Sequence, residues 1–188
     1  MRKIILSMHT SLDGFVAGQK GEIDWIKLDD EMFDLVKKFT DEADSALYGR
    51  VTFQMMESYW PTAAAKLSAT KHDIEHSQWY NKVAKIVLSR TIQDKHLKNT
   101  TIISDDIPNK INKLKQQTGK NILIFGSPTA AHSLMQFNLI DEYWLFVNPV
   151  ILGQGIPMFK GIKKIKLKLL TTKEFSCGVT GLNYAVEN

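Results

Sequence analysis

Short runs of branched and aromatic residues alternate along this chain with longer stretches whose apolar residues recur every third or fourth position. KIILSM (3–8), SALYG (45–49), KIVLS (85–89), TTIIS (100–104), NILIF (121–125) and EYWLFVN (142–148) have the length and composition of buried strands. Between them, DEMFDLVKKF (30–39) places Met32, Leu35, Val36 and Phe39 on one helical stripe. RVTFQMMESYW (50–60) reads as a helix halted before Pro61, and KLSATKHDIEHSQWYNKV (66–83) as another. IPNKINKLKQQTG (107–119) has proline near its first turn and glycine at its exit, and PTAAHSLMQFN (128–138) is the last helical stretch. Strand then helix, repeated, predicts an α/β fold with a mostly parallel central sheet flanked by helices. The tail breaks the pattern. KIKLKLLTTKEFSCGVTGLNYAVE (164–187) reads as two long strands turning about Gly178, an antiparallel C-terminal hairpin closing the sheet. With no linker or internal repeat, residues 1–188 are read as one domain.

Composition excludes several function classes. The chain has 188 residues, 44% hydrophobic and 23% charged, ordinary values for a globular domain. The lone Cys177 rules out an intrachain disulfide framework and suits a reducing, cytoplasmic setting. The opening MRKIILSMHTSLDG is too sparsely apolar for a secretion signal or a membrane span. A net charge of +4 raises the question of nucleic acid. The densest basic stretch, KGIKKIKLKLL (160–170), alternates lysine with aliphatics from Lys164 onward, the pattern of an edge strand with a solvated face. With no zinc-finger, RRM or helix-turn-helix signature, neither nucleic acid nor membrane is expected as a partner.

In open α/β sheets ligands sit beyond the carboxyl ends of the strands, so the residues following each strand carry the functional reading. Three such junctions stand out. Gly126, Ser127 and Pro128 follow NILIF, with Ser127 suited to an N-cap and Pro128 to the first helical position. The turn is either a well-capped helix or a phosphate cradle. Gly49, Arg50 and Thr52 bring a guanidinium and a hydroxyl to a second helix start, and Ser89, Arg90 and Thr91 follow a third strand. The chain has 21 lysines and only three arginines, and two of the three, Arg50 and Arg90, fall at these junctions. Arginine presents a planar fork that lysine cannot copy, so the placement points to one anion spanning the junctions.

Acids are harder to place. Asp34 lies opposite the apolar stripe of its helix, where an i,i+4 pair with Lys38 is expected. Asp13 in SLDG is either a turn residue bonded to local backbone or a substrate contact. His72 and His76 have metal-compatible spacing without a third ligand nearby, so no metal is expected. No side chain is nominated as a proton donor.

Taken in order, SLDGFVAGQKGEIDW (11–25), YGRVTF (48–53), IVLSRT (86–91) and ILIFGSPTAAHSLMQFNLIDEYWLFVNPVILGQGIPMF (122–159) resemble the dihydrofolate-reductase fold, in particular the RibD C-terminal-domain family of bacterial reductases. The resemblance implies NADPH lying across the strand ends. Gly49, Arg50 and Thr52 would meet the 2′-phosphate and pyrophosphate region, and Ser89 and Arg90 the adenosine end. Gly126, Ser127, Pro128, Thr129, Ala130 and Ala131 would wrap the pyrophosphate. Thr10 and Trp25 would lie near the nicotinamide, with Asp13 and Phe33 toward a small-molecule substrate, and a homodimer is expected. The alternative is a module that binds NADP(H) without turnover. Enzymes of riboflavin synthesis carry a glutamate and arginines for a phosphoribosyl-pyrimidine. Here Ile124 and Phe125 precede the glycine turn instead, and the deaminase half often fused to those enzymes does not accompany this stretch.

Overall fold

The structure is a computed structural model that describes residues 1–93 and 97–187, so His96 lies outside it. In chain order the elements begin β1 (Ile4–Ser11), β2 (Phe15–Ala17), α1 (Asp30–Asp41), β3 (Ala43–Gly49) and α2 (Arg50–Ala63). Next come α3 (Lys71–Lys82), β4 (Ala84–Leu88), β5 (Thr100–Ile103), α4 (Ile107–Gln116), β6 (Asn121–Phe125) and α5 (Pro128–Met135). The chain closes with β7 (Glu142–Asn148), β8 (Ile156–Pro157), β9 (Leu167–Glu174) and β10 (Thr180–Val186).

The main sheet has the order β5-β4-β3-β6-β1-β7-β10-β9. Neighbours from β5 to β7 run parallel. The β7–β10 and β10–β9 pairs are antiparallel, so the C-terminal hairpin forms one edge as its sequence predicts. Both faces of the parallel part are covered, which is why its strands are apolar throughout rather than alternating. Ile4, Leu6, Leu47, Ile86, Ile122 and Ile124 pack toward Ile111 of α4 and Leu134 of α5. Ile5 and Leu123 face Met32 and Phe39 of α1, while Tyr48 and Val87 face Phe53 of α2 and Tyr80 of α3. Arg2, the arginine outside the junctions, is only 8% exposed. It donates to Lys120 O at 2.7 Å and Ser45 Oγ at 2.6 Å and pairs with Asp44, tying the start of β1 to β3.

Several elements differ from expectation, each for a physical reason. Helix α2 does not stop before Pro61 but continues to Ala63. Helix α3 supplies the missing partners: Ser77 Oγ donates to Trp60 O at 2.7 Å and Asn81 Nδ2 to Pro61 O at 3.2 Å. Helix α3 itself begins only at Lys71, where Thr70 and Asp73 form a reciprocal capping box. On α1 the i,i+4 ion pair is Lys37–Asp41 at 2.5 Å rather than Asp34–Lys38, and Asp34 is exposed as its helical position implies. Strands β2 and β8, unforeseen, pair antiparallel beside the main sheet. Their approach requires Gly155, where a Cβ would stand 2.2 Å from Ala17 O. Among the described residues no helix is long and apolar enough to cross a membrane.

Candidate functional site

The β3–α2 and β6–α5 junctions are joined directly. Ser127 was expected to cap α5, yet its side chain makes no cap bond. Instead the Gly49 N–H donates to Ser127 Oγ at 2.5 Å. Ser127 is 4% exposed and adopts φ +64, and Gly126 before it adopts φ +61, so two successive left-handed residues turn the hydroxyl back toward β3. Gly49 is closely approached, since a Cβ there would lie a tight 3.1 Å from Ser127 Oγ and in ordinary contact, 3.6 Å, with Ala130 Cβ. Gly126 is the reverse case, with open space where its Cβ would be. The consequence is two helix starts held side by side. The first-turn N–H groups of α2 and α5 have no partners within their own helices and carry the positive ends of both dipoles.

These junctions open on a cleft of about 1030 Å³. Gly49, Arg50, Thr52, Ser89, Arg90, Gly126, Ser127, Pro128, Thr129 and Ala130 all border it. Arg50 is exposed and touches Gln54 Oε1 at 3.2 Å, leaving much of its fork toward solvent. Ser89 is 8% exposed, and its hydroxyl accepts from Thr91 N at 3.2 Å and Ile92 N at 3.1 Å. It therefore shapes the turn that presents Arg90 and has little left to offer a ligand. Among the described residues, Arg50 and Arg90 are the charged side chains on the cleft wall.

Other expected contacts fall elsewhere. Ala131 is fully buried under α5 in the core, and Thr10 is buried within β1, its carbonyl accepting from Asn148 Nδ2 at 3.3 Å. Trp25 does not border the cleft, because its indole N–H donates to Glu22 O at 3.1 Å within its own loop. Ile23, Ile26 and Leu28 of the same loop line the cleft instead. The Asp13 carboxylate accepts from Leu152 N at 3.1 Å and Gly153 N at 2.7 Å, a pin between loops rather than a substrate contact. The Ser11 hydroxyl and these two amides hold its pKa below the usual carboxylate value.

Phe33 does border the cleft, in company that local sequence patterns do not reveal. It stacks on His72 with centroids 4.1 Å apart and planes 15° from parallel. Trp60 lies 4.1 Å from the His76 ring, and Phe125 5.6 Å from it. His72 and His76 were visible in sequence as an i,i+4 pair; their aromatic partners come from three other elements. His9, at the end of β1, also lines the wall and stacks on Phe146. Asn148 Nδ2 sits 3.2 Å from His9 Nδ1, while its Oδ1 accepts from Lys27 N at 2.9 Å, which fixes the amide and makes Nδ1 the acceptor. Burial pushes the His9 pKa down to about 4 and that of His76 to about 3, so both imidazoles are neutral near pH 7.

The sequence model of the RibD C-terminal domain matches residues 2–180. The uncharacterized protein YyaP of Bacillus subtilis (strain 168) is 35% identical over 186 residues, covering 97% of this chain and 94% of YyaP. A protein ascribed to riboflavin biosynthesis from Shewanella sp. PV-4 shares the fold at TM-score 0.73 and 20% identity over the whole of both chains. A diaminohydroxyphosphoribosylaminopyrimidine deaminase/5-amino-6-(5-phosphoribosylamino)uracil reductase from Thermotoga maritima does so at TM-score 0.69 and 16% identity. That match takes in 99% of this chain and 57% of the Thermotoga protein.

Proposed function

The chain belongs to the RibD C-terminal domain family, and from that premise we propose that it is an NADPH-dependent reductase acting on a small pteridine- or pyrimidine-like heterocycle. The observation that carries the reading is that two bonded helix starts, two arginines and a cluster of aromatic rings line one cleft. This donor set fits a phosphorylated dinucleotide. The N–H groups of Thr129 and Ala130 and the open backbone at Gly126 would receive the pyrophosphate. Arg50 and Thr52 would take the 2′-phosphate, and Arg90 the adenosine end. The name of the Thermotoga relative supports the reaction class. When bound, NADPH would supply a hydride to a ring carbon of the substrate, with solvent as the source of the accompanying proton. The protein's share would be to align the two rings against the apolar wall to which Ile23, Ile26 and Leu28 contribute.

A second reading, an NADP(H)-binding module without turnover, has one observation in its favour. Among the described residues no aspartate, glutamate or lysine borders the cleft. Titration with NADPH and NADH, followed by tryptophan fluorescence and thermal shift, tests both. NADPH binding tighter than NADH, with the preference lost in Arg50→Ala, is the expected result, and NADPH oxidation in a heterocycle screen then separates enzyme from module. Binding of neither cofactor would sink both readings.

A further inference from the structure

The aromatic part of the cleft wall has a chemistry of its own. Arg50 opens α2 and Trp60 lies toward its other end, about 15 Å along the axis at 1.5 Å per residue. There Phe33 from α1, Trp60 from α2, His72 and His76 from α3 and Phe125 from β6 form a box on the cleft wall. Among the described residues it offers no cation to a phosphate and no carboxylate to an amidine edge. His76 is 7% exposed and its Nδ1 has no hydrogen-bond partner. Leaving a buried polar atom unpaired is costly, and phenylalanine would fill the same space without that penalty. A guest of the box that reached this nitrogen would relieve that cost.

Resting on the cofactor reading, which commits both arginines to NADPH, we propose that this box seats an uncharged, planar, conjugated ring without a phosphate, stacked on Trp60 and met by the His76 imidazole. The substrate would then differ in charge from the phosphoribosyl compound in the name of the Thermotoga relative. Neutral histidines suit such a guest, since they can hydrogen-bond to ring oxygens and nitrogens without demanding a counter-charge.

Lumazine and lumazine-6-carboxylate share a ring system and differ in charge at pH 6. Quenching of their fluorescence is measured on the free and the NADPH-saturated protein. Lumazine binds both forms, and the carboxylate binds the NADPH-saturated form about tenfold more weakly or worse. Trp60→Leu and Phe33→Leu each weaken lumazine by about tenfold, with NADPH affinity unchanged. His76→Phe melts no lower than the parent and still loses lumazine affinity. No lumazine binding, equal binding of the two lumazines, or undiminished binding in both Trp60→Leu and Phe33→Leu overturns the assignment. Undiminished binding in His76→Phe overturns the contact assigned to that imidazole. Box-dependent lumazine binding without NADPH binding would refute the cofactor reading and leave the ring seat standing.

Discussion

The Gly49 N–H and the Ser127 hydroxyl, 78 residues apart in sequence, meet at 2.5 Å in a buried hydrogen bond that clamps α2 to α5 at their first turns. Ser127→Ala leaves the Gly49 N–H without an acceptor and is expected to destabilise the fold by about 1–3 kcal/mol. Ser127→Gly loses the same bond but removes a side chain from a left-handed residue, returning about 1 kcal/mol. Urea unfolding should therefore rank parent above Ser127→Gly above Ser127→Ala. An alanine variant as stable as the glycine variant would show that the φ of Ser127 carries no strain.

Gly49→Ala approaches the same contact from the other side. Its Cβ would press on Ser127 Oγ at 3.1 Å, so a loss of about 1–3 kcal/mol is expected. NADPH affinity should fall with it, because the two helix starts are spread. The pair should be non-additive: in a Ser127→Gly background the alanine is accommodated more readily, and a double-mutant cycle in urea reads the coupling. Strict additivity would mean that the two residues do not share one contact.

Acid stability should carry the mark of the buried imidazoles. His9 and His76 titrate near 4 and 3 in the fold, below the ordinary 6.5, because burial disfavours their charged forms. Between those values the unfolded chain binds more protons, so stability is complete above about pH 6.5 and declines as pH falls toward 4. Urea midpoints at pH 7.5, 6 and 5 should fall in that order. The slope should be shallower in His76→Phe, and an unchanged slope would mean that His76 is not protonated on unfolding.

Asp29 anchors α1 to the C-terminal hairpin. Its Oδ1 accepts from Met32 N at 2.9 Å as the N-cap, and its Oδ2 accepts from Ser176 Oγ at 2.9 Å and Cys177 N at 3.0 Å. Burial opposes ionisation, but the Met32 and Cys177 amides and the Ser176 hydroxyl outweigh it and hold the pKa at about 2. The contribution is therefore present above about pH 4 and lost between there and 2. Asp29→Ala should cost about 1–2 kcal/mol and speed amide exchange at Cys177 as well as in the first turn of α1. Faster exchange in α1 alone would show that the bridge to the hairpin contributes nothing.

The alternation of apolar runs and amphipathic stretches made the parallel sheet and its antiparallel edge readable, because burial on both faces writes itself into composition. The junction residues were readable for a related reason: glycine, hydroxyl and arginine are local markers of a strand ending at a helix. What escaped was decided by tertiary partners. Nothing near Pro61 announces that Ser77 and Asn81 will complete its helix end. Nothing in SLDG says that Asp13 will hold amides at Leu152 and Gly153. Ser127 looks locally like an N-cap, and only β3 lying beside it redirects the hydroxyl. The aromatic box draws its walls from α1, α2, α3 and β6, so no window of the sequence contains it.

The sheet order sets a timetable for synthesis. β1 is made before either of its partners, β6 on one side and β7 on the other, Ile4 aligning with Ile122 and Ile5 with Glu142. As the chain leaves the ribosome, Ile4, Ile5 and Leu6 must stay unpaired until the distant β6 has followed them. Such distant pairing slows folding and exposes an apolar edge to other nascent chains. The strand at the centre of the finished sheet is thus the one in greatest need of protection while the protein is being born.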